Sequence, residues 1–222
     1  MKSINELWDL REENEWQEAL EHYWQMPSVQ RNIEIEKAMD NVTPEFVSKL
    51  DSVKWFGFLQ LYFEWKFTES RWLGRELDYL ASNGAEKLFQ VKERLMALDQ
   101  LDLADVRKCL KIVKSPQIVG LGYPGASGLI AVIFKKWFGT VDKFMVESLA
   151  EVESLPERQR VREIDAWLKV PRDWRESDAV LLIDIMRRKA EQLNGWFHNG
   201  RWTPRKIDMI LWASRDGEAC GG

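Results

Sequence analysis

The stretch Ile118-Val119-Gly120-Leu121-Gly122-Tyr123-Pro124-Gly125-Ala126-Ser127 sets two glycines two apart between helical segments. Glycine lets a backbone turn tightly and come close to a ligand with no side chain in the way. The helix that follows offers free N–H groups and the positive end of its dipole, a setting that suits a phosphate. Gly125, Ala126, Ser127 and Gly128 are small enough for two helices to pack closely. Taken alone, Gly-x-Gly at a helix junction reads equally well as a purely structural hairpin.

To either side the apolar spacing is helical. Ile4, Leu7, Trp8, Trp16, Ala19, Leu20, Tyr23 and Trp24 recur every three or four residues, a stripe that Pro27 ends. Thr43-Pro44-Glu45 and Thr203-Pro204 are helix starts: threonine caps, proline suits the first turn, and Glu45 complements the dipole. Residues 53–67 are dense in aromatics and predict a mostly buried helix. Further helices are expected over 71–81, 84–97, 103–113, 124–135, 140–152, 157–169 and 177–193, and from Thr203 through Trp212. No alternating strand pattern of any length occurs. The chain reads as all-α, with about ten helices and short loops. Residues 1–50 form an N-terminal helical segment packed on the rest, 51–215 a helical domain, and 216–222 a flexible tail.

Composition narrows the function. With 222 residues and 45% hydrophobic content the chain can bury a sizeable core. Its net charge of −4 argues against binding by bulk positive charge. Two cysteines, Cys109 and Cys220, cannot build a disulfide framework, a four-cysteine zinc site or an iron–sulfur cluster. Two histidines, His22 and His198, leave zinc hydrolase chemistry short of ligands. No signal peptide and no apolar run near the ~18 residues of a membrane span are visible, so a cytoplasmic location is expected. The charge is unevenly spread. Residues 1–40 hold ten acids and four bases, net −6, whereas 105–145 hold seven bases (Arg107, Lys108, Lys111, Lys114, Lys135, Lys136, Lys143) and two acids, net +5. Such an island reads either as a polyanion footprint or as a solvated face. Twelve tryptophans are a surplus for this length.

Val119-Gly120-Leu121-Gly122 with its small-residue helix resembles the hairpin of the helix–hairpin–helix DNA glycosylases, a superfamily whose hairpin precedes an invariant Asp. Gly139-Thr140-Val141-Asp142-Lys143-Phe144 supplies that Asp, 142 − 122 = 20 residues after the second glycine. Phe63-Glu64-Trp65-Lys66-Phe67-Thr68 and Trp202-Thr203-Pro204-Arg205 through Trp212 extend the likeness, in outline, to a bacterial group similar to 8-oxoguanine DNA glycosylases. The resemblance implies two packed helical lobes with the hairpin at 118–125, DNA as partner (a duplex with a flipped base), a monomer, no membrane, and Asp142 as the catalytic carboxylate. It implies no cofactor, with a monovalent cation on the hairpin carbonyls compatible with the pattern. Where lyase members of the family carry lysine, this chain has Pro124, so a monofunctional enzyme is expected.

The chemistry stands on its own terms. Breaking an N-glycosidic bond leaves positive character on the sugar, which a fixed carboxylate stabilises while it orients or deprotonates the attacking water. Asp142 also reads as a plain helix N-cap. Gly120, Gly122, Tyr123, Gly125, Lys108, Lys111, Lys114, Lys143 and Arg205 are the candidate DNA-binding residues, although Arg205 equally suits a pair with Asp208 on its own helix. Trp55, Trp65 and Trp72 are candidates for the walls of a base pocket, with a core role as the alternative. Three classes stay open: a DNA glycosylase, a non-catalytic helix–hairpin–helix DNA-binding protein, and an all-helical interaction protein. As substrate, an oxidised purine, an alkylated cationic base and a hypermodified phage base (which would make a defence enzyme) all remain open.

Overall fold

In the computed structural model, residues 2–68, 70–170 and 173–215 are described, without the side chains of residues 70–72. The tail over 216–222 and the side chain of Trp72 therefore lie outside the described residues. Every regular element among them is a helix.

Five short or medium helices make up the N-terminal segment: α1 (Ile4–Trp8), α2 (Glu13–Gln25), α3 (Pro27–Arg31), α4 (Ile33–Asp40) and α5 (Pro44–Ser48). Their ends are written locally. Ser3 and Glu6 form a reciprocal capping box, Pro27 restarts the chain as the first residue of α3, and Thr43 caps α5 by accepting from the Phe46 N–H. The aromatic run becomes α6 (Ser52–Lys66), capped by Asp51, with Trp55, Leu59, Tyr62 and Phe63 wholly enclosed. Then come α7 (Ser70–Ala81) and α8 (Ala85–Met96).

The single helix expected over 103–113 is two, α9 (Gln100–Ala104) and α10 (Val106–Val113). Asp105 makes the break: its extended backbone ends α9 while its carboxylate accepts from the Lys108 N–H and starts α10. After the glycine turn comes α11 (Tyr123–Ile133), buried from Gly125 to its end. Following it are α12 (Lys143–Glu151), α13 (Arg158–Leu168), α14 (Glu176–Phe197) and α15 (Pro204–Ala213), the last capped by Thr203. Fifteen helices replace the ten expected because capping residues cut the apolar stripes into shorter pieces.

One continuous core runs from Ile4 on α1 to Leu211 on α15. A small satellite of Tyr23, Met26, Val29, Met209 and Ala213 sits where α2 and α3 meet α15. The N-terminal segment shares the core of the rest. Each large apolar side chain in it contributes about 1.5–3 kcal/mol through burial.

Much of the tryptophan surplus has a structural use. Trp8, Trp16 and Trp196 surround the Lys189 ammonium of α14, their ring centres 4.7, 5.1 and 4.8 Å from Nζ. Nζ also donates to the Trp8 carbonyl and, at 2.8 Å, to Gln192. This aromatic cage ties the N-terminal segment to the longest helix, and burial pushes the Lys189 ammonium down to about 8.

Candidate functional site

The two hairpin glycines do different work. Gly120 has φ of 98°, where a side chain is strained, and a Cβ there would meet Glu76 Oε2 at 3.1 Å and Phe63 Cε1 at 3.3 Å. Gly122 has an ordinary φ of −72°, is exposed, and serves as the N-cap of α11. Asn83 holds the turn from outside: its amide oxygen accepts from the Val119 N–H at 3.0 Å. Within it, the Leu121 carbonyl accepts from Ser115 N–H and the Ile118 carbonyl from Leu121 N–H. Those two hairpin carbonyls are therefore already engaged.

The loop from α11 to α12 is pinned at each step. A Cβ on Gly139 would lie 2.7 Å from the Pro204 carbonyl, so only glycine fits beneath α15. Thr140 N–H donates to Asp208 at 3.0 Å, and Val141 N–H to the Ser127 hydroxyl at 2.9 Å. Asp142 comes next. Its Oδ1 accepts from the Met145 N–H at 2.9 Å and caps α12, while the carboxylate stays half-buried and faces solvent in part. Both readings made from the sequence are compatible with this geometry, since the cap engages one carboxylate oxygen.

Around Asp142 is a cluster of charges drawn from four elements. Arg205 of α15, 7% exposed, pairs with Asp208 and donates to Thr140 Oγ1 at 3.2 Å. Its guanidinium lies 5.2 Å from the centre of the Trp65 ring. Burial raises the Asp208 carboxyl, against the pull of that guanidinium. Tyr62 donates to the Gly125 carbonyl at 2.5 Å, and burial pushes its phenol up. Tyr23 of α2 donates to Glu36 of α4 at 2.9 Å, so the N-terminal segment supplies one wall. Lys66, the last residue of α6, is half-buried here. Burial lowers its ammonium, and among the charges opposing that shift Asp142 is the strongest, ahead of Asp208 and Glu36.

The structure sorts the sequence-predicted residues. Trp65 borders the cluster, half-buried. Trp55 does not: it is wholly enclosed and its indole N–H donates to the Leu88 carbonyl, so it is core and closed to a ligand. Arg205 is committed to Asp208 and too buried for a DNA phosphate. Gly125 is buried with its carbonyl taken by Tyr62, so its backbone is likewise closed to DNA. Lys108 is exposed but paired with Asp102. Lys111 stands 3.9 Å from Glu176, which also accepts from Tyr123. Lys114 lies over the Tyr123 ring at 4.8 Å and Lys143 over Phe144 at 4.7 Å. Lys135, one of the seven bases of the island, donates to the Asp40 carbonyl. His198 ends α14 in the left-handed region and is exposed.

Lys66, Glu36 and Tyr23 were not among the sequence candidates, whereas Asp208 was named as the alternative partner of Arg205, and that pair forms. For Lys66 the hint was an ionisable residue inside the aromatic run. A surface groove of about 380 Å³ lined by Glu157, Leu181, Asp184, Arg187, Arg188 and Glu191 includes none of the cluster. Arg188 pairs there with one carboxylate oxygen of Glu157, whose other oxygen, Oε2, is buried without a partner. Among the described residues no three His, Cys, Asp or Glu gather as a metal site, and no helix is long and apolar enough to cross a membrane. Comparison with protein-family models, with curated proteins and with solved structures finds no match.

Proposed function

We propose that this protein is a DNA glycosylase that hydrolyses the N-glycosidic bond of a flipped, damaged or modified base and leaves an abasic site. One observation carries the reading: a half-buried carboxylate, Asp142, held by its loop among buried charges, one helix after a positive-φ glycine hairpin. In this reading the hairpin and the N-terminus of α11 grip the DNA backbone, Lys111 on α10 and Lys114 just past its end add positive charge, and Asp142 faces the sugar. As the base leaves, the carboxylate stabilises the charge at the anomeric carbon and takes the proton of the incoming water. The second reading, a DNA-binding protein without catalysis, is favoured by the Asp142–Met145 hydrogen bond, because a cap alone would explain an Asp at this place.

Asp142→Asn separates the two. Asparagine caps a helix as well as aspartate does, so stability stays near that of the wild type. Base release, scored as abasic sites on damaged oligonucleotides and on modified phage DNA, is expected to fall by about 10²–10⁴ with duplex binding intact. An asparagine variant as active as the wild type overturns the catalytic assignment.

A further inference from the structure

Every carboxylate in the cluster is engaged: Asp142 by the Met145 N–H, Asp208 by Arg205 and the Thr140 N–H, Glu36 by Tyr23. The donors are not all matched. Among the described residues the Lys66 ammonium makes no hydrogen bond and no ion pair. The indole N–H of its neighbour Trp65 is fully enclosed and has no acceptor. Buried donors are nearly always satisfied, and the Trp65 N–H is an exception; the half-buried Lys66 ammonium beside it is left to solvent or to acceptors from outside the chain.

The amine is also held in place. A Cβ on Gly128 would fall 3.6 Å from Lys66 Cδ, 3.5 Å from Thr140 Cγ2 and 2.6 Å from the Tyr62 hydroxyl. The lysine stem therefore lies along a glycine notch of α11, beside Thr140 of the loop that carries Asp142, and Asp142 is the strongest of the charges favouring its ammonium form. This places a proton donor and a carboxylate, 142 − 66 = 76 residues apart in the chain, in one cluster.

Resting on the glycosylase reading, we propose that Lys66 is the proton donor to the departing base, and that the substrate is a neutral base presenting acceptor atoms rather than a cationic alkylated one. As the bond from C1′ to the base nitrogen breaks, its electron pair leaves with the base. The Lys66 ammonium gives a proton to the base and becomes a neutral amine. Water adds to C1′ and its proton passes to Asp142, from which solvent removes it; the amine takes a proton back from solvent. A base that is already cationic departs as a neutral molecule and needs no such donor, whereas a neutral base does. Burial makes this ammonium a better acid than a surface lysine, in the field of Asp142 and Arg205, Asp208 and Glu36.

The test uses the full chain and duplexes carrying 8-oxoguanine, hypoxanthine, uracil or 7-methylguanine, together with modified phage DNA. Release is measured in single turnover as abasic sites, from pH 6 to 10. Lys66→Met and Lys66→Arg are each expected to lose about 10²–10⁴ in rate on the neutral base that the wild type releases, with duplex affinity unchanged. Arginine keeps the charge and the donors but does not give up a proton. The wild-type rate is expected to fall on the alkaline side of its pH profile, and that limb is expected to vanish in Lys66→Arg. Wild-type rates in Lys66→Arg, or release of 7-methylguanine alone, overturn the proposal while leaving the glycosylase reading intact. A borohydride-trapped adduct lost in Lys66→Met overturns it too, because the amine would then attack carbon. A wild type that releases no base from any of these DNAs overturns the glycosylase reading and the proposal with it.

Discussion

Replacing Gly120 with alanine tests the hairpin at the point where the backbone is most demanding. At φ of 98° a non-glycine residue is strained by about 1–3 kcal/mol. The new methyl group would also press on Glu76 Oε2 at 3.1 Å and on Phe63 Cε1 and Tyr79 Cβ at 3.3 Å. Phe63 is wholly enclosed and cannot swing away, so overpacking adds about 1–2 kcal/mol. The sum, about 2–5 kcal/mol, converts to a fall in Tm of about 4–20 °C for a chain of this length. Gly122→Ala is the internal control. Its φ of −72° suits any residue, and the nearest atom to a Cβ is Pro124 Cδ at 3.9 Å. The small loss from a poorer N-cap is offset by a less flexible unfolded chain, leaving a net change within about 0.5 kcal/mol. Thermal unfolding followed by circular dichroism reads both. If the two variants lose equal stability, or Gly122→Ala loses more, the assignment of strain to Gly120 is wrong.

Arg205→Met leaves the Asp208 carboxylate buried without its cation and is expected to cost about 3–5 kcal/mol in urea unfolding, part of which Asp208→Asn recovers in the double variant; a single variant within 1 kcal/mol of the wild type would sink this. Lys189 titrates near 8 when folded and near 10.5 when unfolded, so between these values the unfolded chain binds more protons and folding stability rises with pH. Relative to Lys189→Met, the wild type is expected to gain about 2–3 kcal/mol between pH 7.5 and pH 10 by denaturant unfolding, and parallel curves would show that the cage does not depress the lysine. Charge reversal of Lys111 and Lys114 is expected to weaken duplex binding and flatten its salt slope by about one unit per lost phosphate contact. Lys108→Glu, whose lysine is already paired with Asp102, should do less; fluorescence anisotropy across a salt series that shows the reverse order would move the footprint elsewhere.

What was legible in the sequence is what short-range chemistry decides. Thr43, Asp51, Asp105, Asp142 and Thr203 each accept from a backbone N–H three residues on, so helix starts are written in a few adjacent residues. The period of apolar residues shows an all-α chain for the same reason, and Gly-x-Gly marks the hairpin. Even there a local reading overran: the stripe over 103–113 looks continuous until the Asp105 side chain competes for the backbone. Which glycine is strained, whether a tryptophan is wall or core, and whether an arginine is free all depend on partners far along the chain. Trp55 is sealed by Leu88, Arg205 by Asp208 and Thr140, and Lys66 is set near Asp142 by a glycine notch on a third element. No pattern of spacing records such meetings, because they are fixed by how helices of different length and cap position pack into one core. Neighbouring residues set where most helices start, while the packing of those helices sets which charges share a site and which of them lack a partner.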